Sequence, residues 1–131
     1  MSMKLSTRQV DGVTIVDCSG RITLGEGSVT LRDTVRDLLA KGNKKIVLNL
    51  GDVNYIDSSG IGELVRNYMT VIKSGGEMKV VGLKPKVQQI FEVTQLHQIF
   101  EEFRDEAEAL ESFPENRKRT GSPASEPKNQ A

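Results

Sequence analysis

The feature that most constrains this sequence is a hydrophobic period that changes twice in one stretch. Lys45-Ile46-Val47-Leu48-Asn49-Leu50 is an almost continuous apolar run, as in a strand at the middle of a sheet covered by helices. From Ile61 the apolar residues fall at Ile61, Leu64, Val65, Tyr68, Met69 and Ile72, the i, i+3, i+4, i+7 spacing of one helix face. Gly75-Gly76 ends that pattern, and Met78-Lys79-Val80-Val81-Gly82-Leu83 returns to a strand-like run. A strand, an amphipathic helix and another strand in succession point to a layered α/β arrangement.

The flanks extend the alternation. Lys4 to Val10 and Val13 to Ser19 are strand candidates joined at Asp11-Gly12, a dipeptide that supplies the positive φ angles of a two-residue hairpin turn. Val16 directly follows Ile15, so the second run alternates imperfectly. Gly20-Arg21-Ile22-Thr23-Leu24-Gly25-Glu26-Gly27 reads as a short strand entering a glycine-rich loop. Leu31, Val35, Leu38 and Leu39 then take helical spacing, with Gly42 as the stop. Gly51-Asp52-Val53-Asn54 reads as a loop without calcium-loop spacing. Pro85 opens a helix carrying Val87, Ile90, Phe91 and Thr94 on one face, and Ile99, Phe100 and Phe103 suggest a short edge strand. Asp105 to Phe113 reads as a final acidic helix packing through Ala109 and Leu110. The expected fold class is therefore α/β, a mixed sheet of four or five strands with its helices mainly on one face. Past Pro114 apolar periodicity ceases, so residues 1–113 read as the domain and 114–131 as a disordered tail.

Several functions fail on residue supply. Lys plus Arg and Asp plus Glu both total 18, and a net charge of zero gives no whole-chain case for nucleic acid or an anionic membrane. The one cysteine, Cys18, can form neither an internal disulfide nor a multi-cysteine metal site, so neither a metal nor another cofactor is expected. The first residues lack the apolar stretch of a signal peptide, and no run reaches membrane-spanning length; a cytoplasmic protein is the expectation. Gly20 and Gly25 have the gap of a phosphate-binding loop, but Glu26 and Gly27 stand where Lys and Ser or Thr are required. Gly60-x-Gly62 lacks the third glycine of a dinucleotide fingerprint, and neither Ser58 nor Ser59 lies in a Gly-x-Ser-x-Gly elbow. The single histidine, His97, is better suited to a partly buried packing role than to serving as a base for Ser58. An enzyme is not expected.

The distinctive motif is Tyr55-Ile56-Asp57-Ser58-Ser59-Gly60-Ile61-Gly62, between a strand and the strongest helix. Any of Asp57, Ser58 and Ser59 can cap the helix, a contribution of about 1 kcal/mol. A hydroxyl there can also carry a phosphate, because unpaired amides and the helix dipole favour negative charge. One cap needs one residue, whereas three cap formers stand in a row, with no Glu or Gln three residues past either serine to complete a capping box. Gly60 and Gly62 each cost on the order of 1 kcal/mol relative to alanine and leave backbone open to close approach from outside.

With its flanks, Asn49-Leu50-Gly51-Asp52-Val53-Asn54-Tyr55-Ile56-Asp57-Ser58-Ser59-Gly60-Ile61-Gly62 resembles the signature of STAS domains, particularly bacterial anti-sigma factor antagonists. The likeness runs over roughly residues 4 to 113 and takes in the hairpin, Gly20-Arg21-Ile22, and the runs at Lys45 and Met78. The resemblance implies a STAS fold and a phosphoacceptor at Ser58, preceded by the acid Asp57, with Ser59 and Gly60 completing the turn. It implies a partner-binding surface of Asp57, Ser58, Ser59, Gly60, Ile61, Gly62 and Thr23. Thr23 departs from the family, which often carries Asp at that position to contact the kinase. The implied function is partner switching: the unmodified protein binds an anti-sigma factor serine kinase, phosphorylation of Ser58 releases it, and a phosphoserine phosphatase resets the switch. A non-switching scaffold or transport-system subunit is the alternative within the fold. A nucleotide-binding enzyme, resting on Gly20 to Gly27, is the third reading.

Overall fold

A computed structural model of the chain describes residues 3–23, 25–114 and 116. The strands β1 (Lys4–Val10) and β2 (Val13–Ile22) form the expected hairpin, with Asp11 and Gly12 at φ 53° and 79°. There follow α1 (Glu26–Ala40), β3 (Lys45–Ile56), α2 (Ser58–Lys73), β4 (Glu77–Val81), α3 (Pro85–Val93), a single 3-10 turn at Leu96–Gln98, β5 (Glu102–Phe103) and α4 (Glu106–Glu111). The sheet order is β1-β2-β3-β4-β5; β1 and β2 are antiparallel and the remaining pairs parallel. It is the mixed sheet that the alternation predicts.

Both faces of the sheet centre are covered, which accounts for the imperfect alternation in β2. Val16, Cys18 and Ile22 join the larger core with Leu31 and Val35 of α1, Leu64 and Val71 of α2, and Val87 and Phe91 of α3. Val13 and Ile15 face the other way, into a smaller core with Val47, Val81, Ala109, Leu110 and Phe113. Thus α1, α2 and α3 share one face, and α4 seals the other through the two residues expected of it. Lys79 crosses this second layer almost fully buried, its Nζ 2.7 Å from Ser112 Oγ, 3.0 Å from Glu101 Oε1 and 4.4 Å from the Phe113 ring centroid. Across the hairpin, Arg8 donates to Asp17 at 2.6 and 2.9 Å and to Glu106 of α4 at 2.8 and 3.2 Å. These hydrogen bonds raise the Arg8 pKa and, with Asn49, hold the Asp17 carboxyl below its ordinary value.

The structure departs from the sequence expectations at several places. Of the expected edge strand only Phe103 pairs, in β5, while Ile99 and Phe100 precede it and Phe100 is buried in the main core. Gly20 to Gly27 is not a strand of its own followed by one glycine-rich loop. Gly20 and Arg21 continue β2 through two register shifts, and Gly27 lies inside α1, so these glycines form no phosphate loop. Gly51 to Asn54 is strand, not loop. There β3 runs past the end of β4 and pairs only with β2, so Asp52 and Asn54 face solvent while Val53 and Ile56 are buried. On α2, Met69 and Ile72 are 47 % and 41 % exposed, whereas Glu63 and Asn67 are buried, because the helix packs against both the sheet and α1. Thr94 and His97 are exposed rather than packed: Leu96 fills the core beside them, and the imidazole Nδ1 lies 3.3 Å from the Phe91 carbonyl. Residues 117–131 of the expected disordered tail lie outside the described residues; Asn116 is buried, its Nδ2 donating to the Leu110 carbonyl at 3.0 Å. Among the described residues no helix is long and apolar enough to cross a membrane.

Candidate functional site

Two strand ends build the site. Ile22 and Ile56 pair at the ends of β2 and β3, so the segments that follow them, Thr23 and Asp57, emerge side by side at one edge of the sheet. The Asp57 amide donates back to the Ile22 carbonyl at 3.2 Å, fixing the entry into α2. The cap is then resolved. Asp57, in extended backbone, accepts from the Gly60 amide at 2.8 Å. Ser58 and Ser59 are the first two helical residues, and their hydroxyls have no hydrogen-bond partner among the described residues. Ser58 is exposed and Ser59 half-buried.

Gly60 answers to an internal need. A Cβ there would stand 2.1 Å from the Ile22 carbonyl oxygen, so glycine is what lets the first turn of α2 lie on the end of β2. The residue is buried, and its smallness opens no surface to an outside partner, contrary to the sequence reading. Gly62 is different: a Cβ there would meet only the Arg66 guanidinium, at 3.5 Å or more, and the half-buried Ile61 beside it packs against the main core. Thr23 is half-buried, its carbonyl accepting from the Ser28 hydroxyl at 2.9 Å.

A shallow depression between the start of α1 and the start of α2 takes in Ser58, Ser59 and Gly62 together with Gly25, Ser28, Val29, Arg32, Glu63 and Arg66. His97 is not among its lining residues, so the structure offers Ser58 no imidazole base there. What the sequence reading missed is the charged set at its floor. Glu63 is buried and meets Arg66 Nη2 at 3.1 Å and Arg32 Nη1 at 3.9 Å, while Asn67 Nδ2 donates to its second oxygen at 3.1 Å. The available signal was Glu63 and Asn67 at i, i+4, polar residues placed among apolar neighbours; Arg32 reaches them only through the packing of α1 on α2. Chemically the site offers an accessible hydroxyl, a capping carboxylate and two cations. Among the described residues no cluster of His, Cys, Asp or Glu could hold a metal.

Comparison with known proteins gives the fold its family. Residues 4–109 match the family model described as the STAS domain. The anti-sigma F factor antagonist of Paenibacillus polymyxa is 26% identical over 110 residues, 84% of this chain and 94% of that one. The anti-sigma-B factor antagonist of Bacillus subtilis is 29% identical over 101 residues, 77% of this chain and 91% of that one. In structure the chain resembles the anti-sigma factor antagonist SpoIIAA in its unphosphorylated form, with TM-score 0.62 at 14% identity over 91% of this chain and 99% of that one. The phosphorylated form of SpoIIAA matches almost as well, with TM-score 0.60 at 14% identity over 89% and 99% of the two chains. With the family model matched over residues 4–109, most of its length, the chain belongs to the STAS domain family.

Proposed function

We propose that this protein is a cytoplasmic anti-sigma factor antagonist that works by partner switching. The unmodified protein docks the Ser58 surface on an anti-sigma factor that is also a serine kinase. Docking frees the sigma factor. The kinase then transfers the γ-phosphate of ATP to the Ser58 hydroxyl, leaving ADP, and the modified protein dissociates until a phosphatase removes the phosphate. Curated relatives named as antagonists span most of this chain's length and support the role. The observation that carries the site is the division of labour at the start of α2: Asp57 supplies the cap, and the adjacent Ser58 hydroxyl is exposed and has no hydrogen-bond partner among the described residues.

Phosphorylation adds about −1.5 to −2 charge at neutral pH. The unpaired amides of the first turn tolerate that charge, so the fold changes little. A partner surface bearing acids or nucleotide phosphates does not, and like charges brought together across an interface cost several kcal/mol. Thr23, emerging beside Asp57, offers the partner a neutral hydroxyl.

Incubation with candidate kinases and ATP, followed by mass-spectrometric mapping, tests this function. Phosphate is expected on Ser58. Labelling that persists undiminished in Ser58→Ala would sink the assignment, and no labelling together with stable co-purification with transport components would favour a non-switching subunit. Ser58→Asp is expected to weaken kinase binding while leaving the circular dichroism spectrum unchanged.

A further inference from the structure

Glu63 is 1% exposed, an uncommon place for a carboxylate, and the groups converging on it explain how it is held there. One buried negative charge gathers the guanidinium groups of Arg66 and Arg32. The gathering has a direction. The Arg66 head folds back over Gly62, where an added Cβ would lie 3.5 Å from Nη1 and 3.8 Å from Nη2. That brings it to within about one helical turn of the serine pair. Arg32 approaches from α1 across the same depression. Neither head is locked in place: the Arg66 side chain is 67% exposed and the Arg32 side chain 36%.

Resting on the reading that Ser58 is phosphorylated, we propose that Arg66 and Arg32 form an internal clamp for that phosphate. In the unmodified protein Glu63 holds the two cations in reserve, and two positive charges against one negative leave an excess of one. A phosphate on Ser58 brings a larger negative charge and three acceptor oxygens to the mouth of the depression. Arg66 swings from Glu63 to the phosphate, a bidentate match that guanidinium geometry favours. Glu63 keeps Asn67 as its donor. The modification thus changes two things a partner meets: it adds a negative charge at Ser58, and it withdraws an arginine pair that the unmodified surface presents.

The test installs phosphoserine at position 58 during translation and follows its phosphorus NMR signal through a pH titration. The second ionisation of the phosphate is expected to have its midpoint about 0.5 pH lower in the otherwise wild-type protein than in Arg66→Gln, because a nearby cation favours the dianion. Arg32→Gln is expected to move it in the same direction as Arg66→Gln, by less. Arg104→Gln, which removes an arginine that is 92% exposed and outside the depression, is expected to leave it in place. Equal midpoints in wild type and Arg66→Gln, or an equal displacement in Arg104→Gln, would overturn the clamp. Since the phosphate is installed without a kinase, the result is separate from the labelling experiment: absence of labelling removes the phosphorylation reading, and an unmoved midpoint removes the clamp alone.

Discussion

Replacing Gly60 by alanine probes the contact that seats α2 on the sheet. The new Cβ would stand 2.1 Å from the Ile22 carbonyl oxygen and 2.9 Å from both the Ile22 carbonyl carbon and Ile56 Cγ2. Carbon ordinarily approaches a carbonyl oxygen to about 3.3 Å, so the overlap is roughly 1 Å. No rotamer change relieves it, because the opposing oxygen is backbone. Ile22 is paired with Ile56 in the sheet, and its carbonyl already accepts from the Asp57 amide. The first turn of α2 must lift instead. Overpacking of this kind costs about 1–3 kcal/mol, and a clash with fixed backbone belongs at the upper end. The higher helix propensity of alanine offsets at most about 1 kcal/mol. The net expectation is a loss of about 2 kcal/mol, which for a domain of this size lowers Tm by about 8 °C. Urea unfolding followed by far-UV circular dichroism measures it, with Gly62→Ala as the comparison. At Gly62 the Cβ makes only ordinary contact with the Arg66 guanidinium, so stability is expected to hold or rise by up to about 1 kcal/mol. A Gly60→Ala midpoint at or above wild type, or an equal loss in Gly62→Ala, would refute the reasoning.

Three further outcomes are expected. Asp57→Ala removes the side chain that accepts from the Gly60 amide and should cost about 1 kcal/mol, while Asp57→Asn keeps most of the cap; parallel urea titrations separate them. Asp17 is held below its ordinary value of 3.8, first by its hydrogen bonds with Arg8 and then by Asn49, against the opposing effect of burial. Its contribution is therefore complete above that ordinary value and is lost as pH falls through the lowered one, so Tm should drop more steeply on acidification in wild type than in Asp17→Asn; equal slopes contradict this. Burial, reinforced by the Asp17 charge, pushes the Cys18 thiol up to about 12, so a thiol reagent at mildly alkaline pH should label it only when denaturant opens the core.

The sequence showed most clearly what depends on local chemistry. The hairpin was legible because Asp11-Gly12 must turn, α2 because its period is sustained, and α3 because Pro85 suits a first helical turn. The end of β3 was not, because Gly51, Asp52 and Asn54 resemble turn formers. Only the packing reveals that a strand paired on a single flank tolerates them, although Val53 and Ile56 carried the buried phase. Which side of the sheet α4 covers depends on tertiary packing and left no local trace. At the site, the three possible cap residues were equivalent on paper. The choice of Asp57 follows from the tie of its amide to Ile22, a residue in another strand. For the same reason the sequence suggests that Gly60 opens to the outside, whereas the carbonyl that excludes a Cβ there belongs to β2. In the Arg32–Glu63–Arg66 set, Glu63 and Arg66 share one helix and their i, i+3 spacing is legible, whereas Arg32 joins them only through the packing of α1 on α2.

The order of strands in the sheet repeats their order in the chain, so each strand pairs with the one made just before it. The sheet can grow outward from the hairpin as synthesis proceeds, and no strand has to insert between two others. Its second face follows a later schedule. Val13, Ile15, Val47 and Val81 gain cover from Ala109, Leu110 and Phe113, close to the end of the domain. A nascent or truncated chain that stops short of α4 carries a bare apolar stripe on an otherwise complete sheet. The last helix is thus the element that turns the second sheet face from an exposed apolar surface into a core, and its loss is a matter of colloidal behaviour as well as of stability.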